Sequence, residues 1–155
     1  MAKETLRITG KIKELLSLEK LVKDKVAAFS EEVSEELRSE VKRQIIETNT
    51  VASGDLFRSI SSQVLIGPKS YNVEVGSTKR YAKQANEGRP PGRRPSPVKI
   101  LKWMKDKGVD NPTKIKATFI ADKIEKEGYE GKHFFDRAVS IVEGKIESIA
   151  ERLFK

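Results

Sequence analysis

The chain contains no cysteine. Thiol nucleophiles, thiolate metal sites and disulfide frameworks are therefore excluded, and the sequence is indifferent to redox compartment. It has a single histidine, His133, so general acid–base chemistry would have to rest on paired carboxylates. Aspartate and glutamate are plentiful, but they alternate with lysine, and no H-x-x-x-H, D-x-D or mixed acidic and histidine cluster has metal-ligand spacing. These acids read as charged helix faces. Long apolar runs are also missing: nothing approaches the ~18 residues of a membrane span. The opening MAKETLRITGKIKELL lacks the apolar core of a secretory signal. Together these absences predict no catalytic site, metal, cofactor or membrane segment.

What remains is a chain of 155 residues, the size of one ordinary domain. Charged residues make up 35% and hydrophobic residues 37%, a balance typical of helices with one apolar stripe and a broad solvated face. The net charge of +8 is not spread evenly. Residues 78 to 108 hold ten cations against two anions, leaving 21 of each sign elsewhere. All the excess charge thus belongs to one patch, which points to one localised partner.

Between Leu18 and Thr48 the residues Val22, Val26, Phe29, Val33, Leu37, Val41 and Ile45 recur at steps of three or four without proline or glycine. This spacing predicts one long helix, or two if Ser30 caps a second piece. Such a helix is longer than the domain is wide, so part of it is expected to pack on something else, such as another copy. Small polar residues in TNTVASGD end it. The period then switches to two in Ile60, Ser62, Val64, Ile66 and in Tyr71, Val73, Val75, around the turn residues Gly67 to Ser70, which predicts an antiparallel hairpin with one buried face. Tyr81-Ala82 either continues as a strand or opens a short helix.

Asn86 to Pro97 contains two glycines, four prolines and three arginines, and reads as an extended, semi-rigid loop. Ser96-Pro97 looks like a helix start, with Val98, Ile100, Leu101, Trp103 and Met104 as the apolar face and Gly108 as the stop. Asn111-Pro112-Thr113 opens another helix, with a stripe of Ile115, Phe119, Ile120 and Ile124 ending near Gly128. A final helix runs from about Lys132 to the C-terminus through Phe134, Ala138, Val142, Ile149 and Leu153. The expected fold is α+β: a long N-terminal helix, a small antiparallel sheet, a basic Pro/Gly loop and three C-terminal helices. A single domain over 1–155 is expected, with the long helical part in 1–50 and the hairpin plus helices in 51–155.

His133 lies beside Phe134 and Phe135 at a helix start, where a capping or packing role is expected. The EGRPPG glycines lack the lysine-serine/threonine ending of a phosphate loop, and prolines stand where amide donors would be needed. Trp103 sits at helical spacing with Ile100 and reads as core. Arg89, Arg93 and Arg94 are the strongest candidates for partner binding, because arginine on a proline-stiffened loop loses little backbone entropy when it pairs with carboxylate or phosphate.

Four motifs, in order, resemble a known family. SGDLFRSI (Ser53 to Ile60) is similar to its small-Gly-x-Leu-x-x-Ser-Ile entry into a hairpin. VGSTKRYAKQANEGRPPG (Val75 to Gly92) resembles its strand, Tyr-Ala pair, Glu-Gly pair and basic proline-glycine loop. PVKILKWMKDKG (Pro97 to Gly108) has its proline, isoleucine, tryptophan and lysine-glycine spacing. FIADKIEKEGYEGKHFFDRA (Phe119 to Ala138) resembles its helix, glycine break and aromatic-led final helix. The family is that of the small tail-completion or neck proteins of tailed bacteriophages. The chain departs from it at Gln84-Ala85-Asn86, where many relatives carry a second aromatic or a valine.

The resemblance implies a structural virion protein of the head–tail junction, not an enzyme, assembled in the host cytoplasm as a homo-oligomeric ring. Its implied partners are an adjacent head–tail connector and tail-terminator or tail-tube proteins, with packaged DNA close by. Tyr81, Glu87, Arg89, Arg93 and Arg94 are the candidate partner-binding residues. The alternative reading is a nucleic-acid-binding protein that uses the basic 78–108 segment on phosphates.

Overall fold

The computed structural model describes the backbone of residues 2–68 and 70–155 and the side chains of 18–68 and 70–155. Lys69, placed by the sequence in the hairpin turn, lies outside the described residues. The architecture is α+β, as expected. Helix α1 (Ala2–Glu47) is unbroken, and its 46 residues span about 69 Å. Ser30 does not interrupt it, because its hydroxyl bonds back to the Val26 carbonyl at 2.9 Å instead of capping a new helix. The helix ends in a Schellman motif. Asn49 adopts the left-handed conformation (φ 52°), the Thr50 amide reaches the Ile45 carbonyl at 2.9 Å and the Asn49 amide reaches that of Ile46 at 2.9 Å.

A short helix, α2 (Asp55–Ser59), leads into strands β1 (Ile60–Ile66) and β2 (Tyr71–Ser77), which pair antiparallel with Val64 opposite Val73 and Ser62 opposite Val75. This sheet lies on α1, where the hydroxyls of Ser34 and Ser62 meet at 2.9 Å. Tyr81-Ala82 opens a short helix, α3 (Ala82–Glu87), followed by a two-residue strand, β3 (Gly88–Arg89). Helices α4 (Pro97–Asp106) and α5 (Lys114–Glu127) form a helical hairpin; β4 (Tyr129–Glu130) then pairs antiparallel with β3. The expected single C-terminal helix is two, α6 (Phe134–Glu143) and α7 (Ile146–Phe154). Gly144 and Lys145 form the bend, which turns α7 so that Ile149 packs on the α1 core and Phe154 meets Phe29 at a ring separation of 6.1 Å.

Among the described residues, buried side chains form two separate clusters. The larger gathers Val33, Leu37, Val41 and Ile45 of α1 with Leu56, Ile60, Ala82, Phe134, Ala138, Val142 and Ile149. The smaller contains only Ile100 and Met104 of α4 with Ala117 and Ala121 of α5. Here the structure corrects the sequence in three places. Ile115 and Phe119 were expected in the α5 core stripe but face solvent, and the fully buried positions are the alanines, whose small side chains let α4 approach closely. Trp103 and Val98 are likewise exposed, because only the Ile100–Met104 edge of α4 meets α5. On α1, Val22 was expected in the stripe but stands exposed, since the body it would pack on begins nearer Phe29.

Candidate interaction surface

The basic loop is held from several sides. Its first residues pair with β4, Gly88 opposite Glu130 and Arg89 opposite Tyr129. Three glycines make this crossing possible. A Cβ on Gly128 would lie 2.1 Å from the Arg89 carbonyl oxygen, one on Gly131 would lie 2.1 Å from that of Asn86, and one on Gly88 would lie 2.5 Å from that of Tyr129. Gly88 and Gly128 also carry positive φ, at 85° and 70°, which side chains disfavour. Further on, the Gly92 amide donates to the Glu125 carbonyl at 2.8 Å. The loop is stiff because α5 and β4 hold its backbone, in addition to its prolines.

This anchoring divides the candidate arginines. Arg94 is engaged by α5, with Nε 2.6 Å from Asp122 and 4.0 Å from Glu125. Arg89 is half-buried and donates to the Arg93 carbonyl, bracing the loop from within. The Arg93 side chain is exposed and has no ion pair among the described residues. Glu87 is exposed, 3.8 Å from Lys83 on the same helix. Tyr81 sits over α2, where burial and the Asp55 charge push its hydroxyl above the ordinary tyrosine pKa. The five candidates therefore form no single cluster: Arg89, Arg93 and Arg94 share the loop, while Tyr81 belongs to the α2 side of the molecule.

Lysines of α4 continue the positive surface. Lys99, Lys102 and Lys105 follow one another at three-residue steps on the side away from Ile100 and Met104, all exposed. Lys107 behaves differently, because its ammonium donates to the Asn49 backbone carbonyl, to Asn49 Oδ1 at 2.8 Å and to the Val51 carbonyl at 2.8 Å. It thus caps the negative end of the α1 dipole and ties the α4–α5 hairpin to the body. Burial, reinforced by Lys132 nearby, lowers its pKa from the usual lysine value.

Two structurally decisive residues escaped the sequence reading. Asn86, buried at the end of α3, accepts from the Phe135 amide at 2.9 Å through Oδ1, and its carbonyl accepts from the His133 amide at 2.8 Å. It is Asn86, not His133, that satisfies the first turn of α6. His133 occupies the N-cap position at φ 51° without a side-chain cap bond, its ring 3.4 Å from Asp136. Lys107 is the second, read only as one cation of the patch. The two Glu-Gly steps of EGYEG, with that of Glu87-Gly88, are the sequence signal that could have found the crossing.

Among the described residues no group of three or more histidine, aspartate or glutamate side chains is placed to hold a metal ion. No helix of the described residues is long and apolar enough to cross a membrane. The two best-formed clefts are shallow and open; one lies between α1 and α7, lined by Glu36, Lys145, Ile149 and Arg152. Its charges are already paired, Lys145 with Glu36 at 2.5 Å and Arg152 with Glu32. In comparisons with known proteins, no family model, no curated protein and no solved structure matches the chain.

Proposed function

We propose that this chain is a structural subunit of the head–tail connection of a tailed bacteriophage, a neck or tail-completion protein that assembles as a ring in the virion and has no enzymatic role. The observation that carries this reading is the placement of large apolar side chains on the surface of a small protein, at the start of the described part of α1 and on the outer face of α5. Paired apolar surfaces of this kind serve contacts between subunits. The four motifs supply the specific family, and in the folded chain the second and fourth lie together at the Gly88, Gly128 and Gly131 crossing. Arg93 and the α4 lysines then face outward for an acidic neighbouring ring. The test is electron microscopy of lysates from a phage with a nonsense mutation in this gene. Filled heads beside detached full-length tails support the reading; intact virions overturn it.

The second reading, binding of nucleic acid, draws on the exposed ridge of Lys99, Lys102 and Lys105 beside Arg93. It requires a salt-sensitive shift of duplex DNA by the purified protein, weakened when these four residues are replaced by alanine. Assembly of the protein without DNA affinity decides for the neck.

A further inference from the structure

The α4–α5 hairpin is set into the chain as an appendage of the body. Arg89, just before it, lies opposite Tyr129, just after it, so the chain leaves and re-enters the body through the two-residue β3–β4 ladder. The hairpin core of Ile100, Met104, Ala117 and Ala121 shares no residue with the body cluster, and the partly buried side chains around it also come from residues 90–127. The elements that α4 and α5 pack against most closely are one another. Beyond the crossing, the only hydrogen bonds or ion pairs among the described residues that join 90–127 to the body are those of the Lys107 ammonium, to the Asn49 carbonyl, to Asn49 Oδ1 and to the Val51 carbonyl.

These two attachments stand at opposite ends of the hairpin. Helix α5 runs 14 residues, about 21 Å, to Gly128 at the crossing, whereas Lys107 directly follows α4 in the turn that leads to α5. A unit held at one narrow point keeps rotational freedom about that point, and a second attachment at the end of the lever removes it. Turning the hairpin away from α1 separates the Lys107 hydrogen bonds but leaves both core clusters intact, because they have no residue in common. The chain passes from α5 into the ladder at Gly128, at φ 70°, an element-terminal residue of the kind that absorbs a hinge rotation. We propose that residues 90–127 form a latched arm, which turns as a unit about the β3–β4 crossing when Lys107 leaves the end of α1. The arm carries ten bases against five acids, +5 of the chain's +8, so its movement re-aims most of the net charge, Arg93 and the α4 lysines included, without disturbing the body. The device is independent of what the arm binds.

Because the chain has no cysteine, pairs of spin labels can be attached at chosen positions. Nitroxides on I46C and I115C, both exposed sites, report the distance between the end of α1 and the arm, and a second pair on I46C and L65C reports on the body alone. Electron–electron double resonance is expected to give one narrow distance distribution for each pair when Lys107 is present. K107M is expected to shift the arm distribution and widen it about twofold or more, with the body pair and the helical circular dichroism unchanged. N49G removes the Oδ1 acceptor while keeping the left-handed backbone at φ 52°, and is expected to widen the arm distribution less. An arm distribution in K107M identical to that with Lys107 in place, or one already as wide with Lys107 in place, overturns the latch. Loss of helical signal in K107M, or widening of the body pair as well, overturns movement of the hairpin as a unit.

Discussion

The body built on α1 and the α4–α5 hairpin are both helical, yet they are held by different forces. In the body, Val33 through Ile45 of α1 bury a continuous stripe against the sheet, α6 and α7, with Phe134 fully enclosed at the centre. The hairpin has four buried residues, two of them alanine, and it depends on polar and backbone attachments: Lys107 to the end of α1, Arg94 to Asp122 and the β3–β4 crossing. Hydrophobic burial is insensitive to the exact partner, whereas hydrogen bonds and close backbone contacts fail when one atom is misplaced. The hairpin is accordingly the region whose position the sequence specifies through a few individual residues.

That contrast can be tested at its strong end first. Replacing Phe134 by alanine removes a fully buried ring in contact with Phe135 at 4.8 Å, and is expected to cost about 3–5 kcal/mol in global unfolding by urea. Gly131→Ala sets a Cβ against the Asn86 carbonyl, and a cost on the order of 3 kcal/mol is expected, with hydrogen exchange rising first around residues 86–89 and 128–133. A wild-type melting curve for this variant would show that the crossing is not needed.

Lys107→Met keeps the aliphatic stem and removes the ammonium. A loss of about 1.5–3 kcal/mol is expected, seen as faster exchange in α4 and α5 with the α1 core unaffected. Equal loosening of both regions would erase the distinction between them. The smallest effect concerns Glu40, a buried carboxylate in the body. Burial opposes its charge, but hydrogen bonds from Arg43 and Gln44 and the positive charges of Arg43 and Lys145 prevail and hold its pKa below the ordinary glutamate value. A depressed pKa contributes stability above the unfolded value of about 4.3, and that contribution is lost as pH falls through the folded value. The thermal midpoint of the wild-type chain should fall more steeply below about pH 4.3 than that of Glu40→Gln.

Much of the fold was legible because period and turn chemistry are local properties. The α1 stripe, the hairpin with its Gly67 turn and the Thr113 cap of α5, which accepts from the Lys116 amide, follow from spacing and turn chemistry alone. The hairpin helices were harder to read. In α5 the apolar residues Ile115, Phe119, Ile120 and Ile124 spread over a wide arc, and spacing cannot say which side of that arc meets a neighbour. Ala117 and Ala121 decided it by letting α4 come close, and Ile115 and Phe119 were left outside. The candidate surface shows the same division: the sequence located the basic loop, but it could not separate Arg94, bound to Asp122 across 28 residues, from Arg93, which is not.

By itself, the sequence determined the order and type of the main elements, the localisation of the net charge and the absence of thiol chemistry, because these depend on residues near one another in the chain. Only the tertiary structure decided that α6 and α7 are separate, that Asn86 caps α6, that Lys107 closes the end of α1 and that three glycines carry a backbone crossing. The last three join residues tens of positions apart, and the bend between α6 and α7 follows from where α7 packs on α1, which no local pattern records.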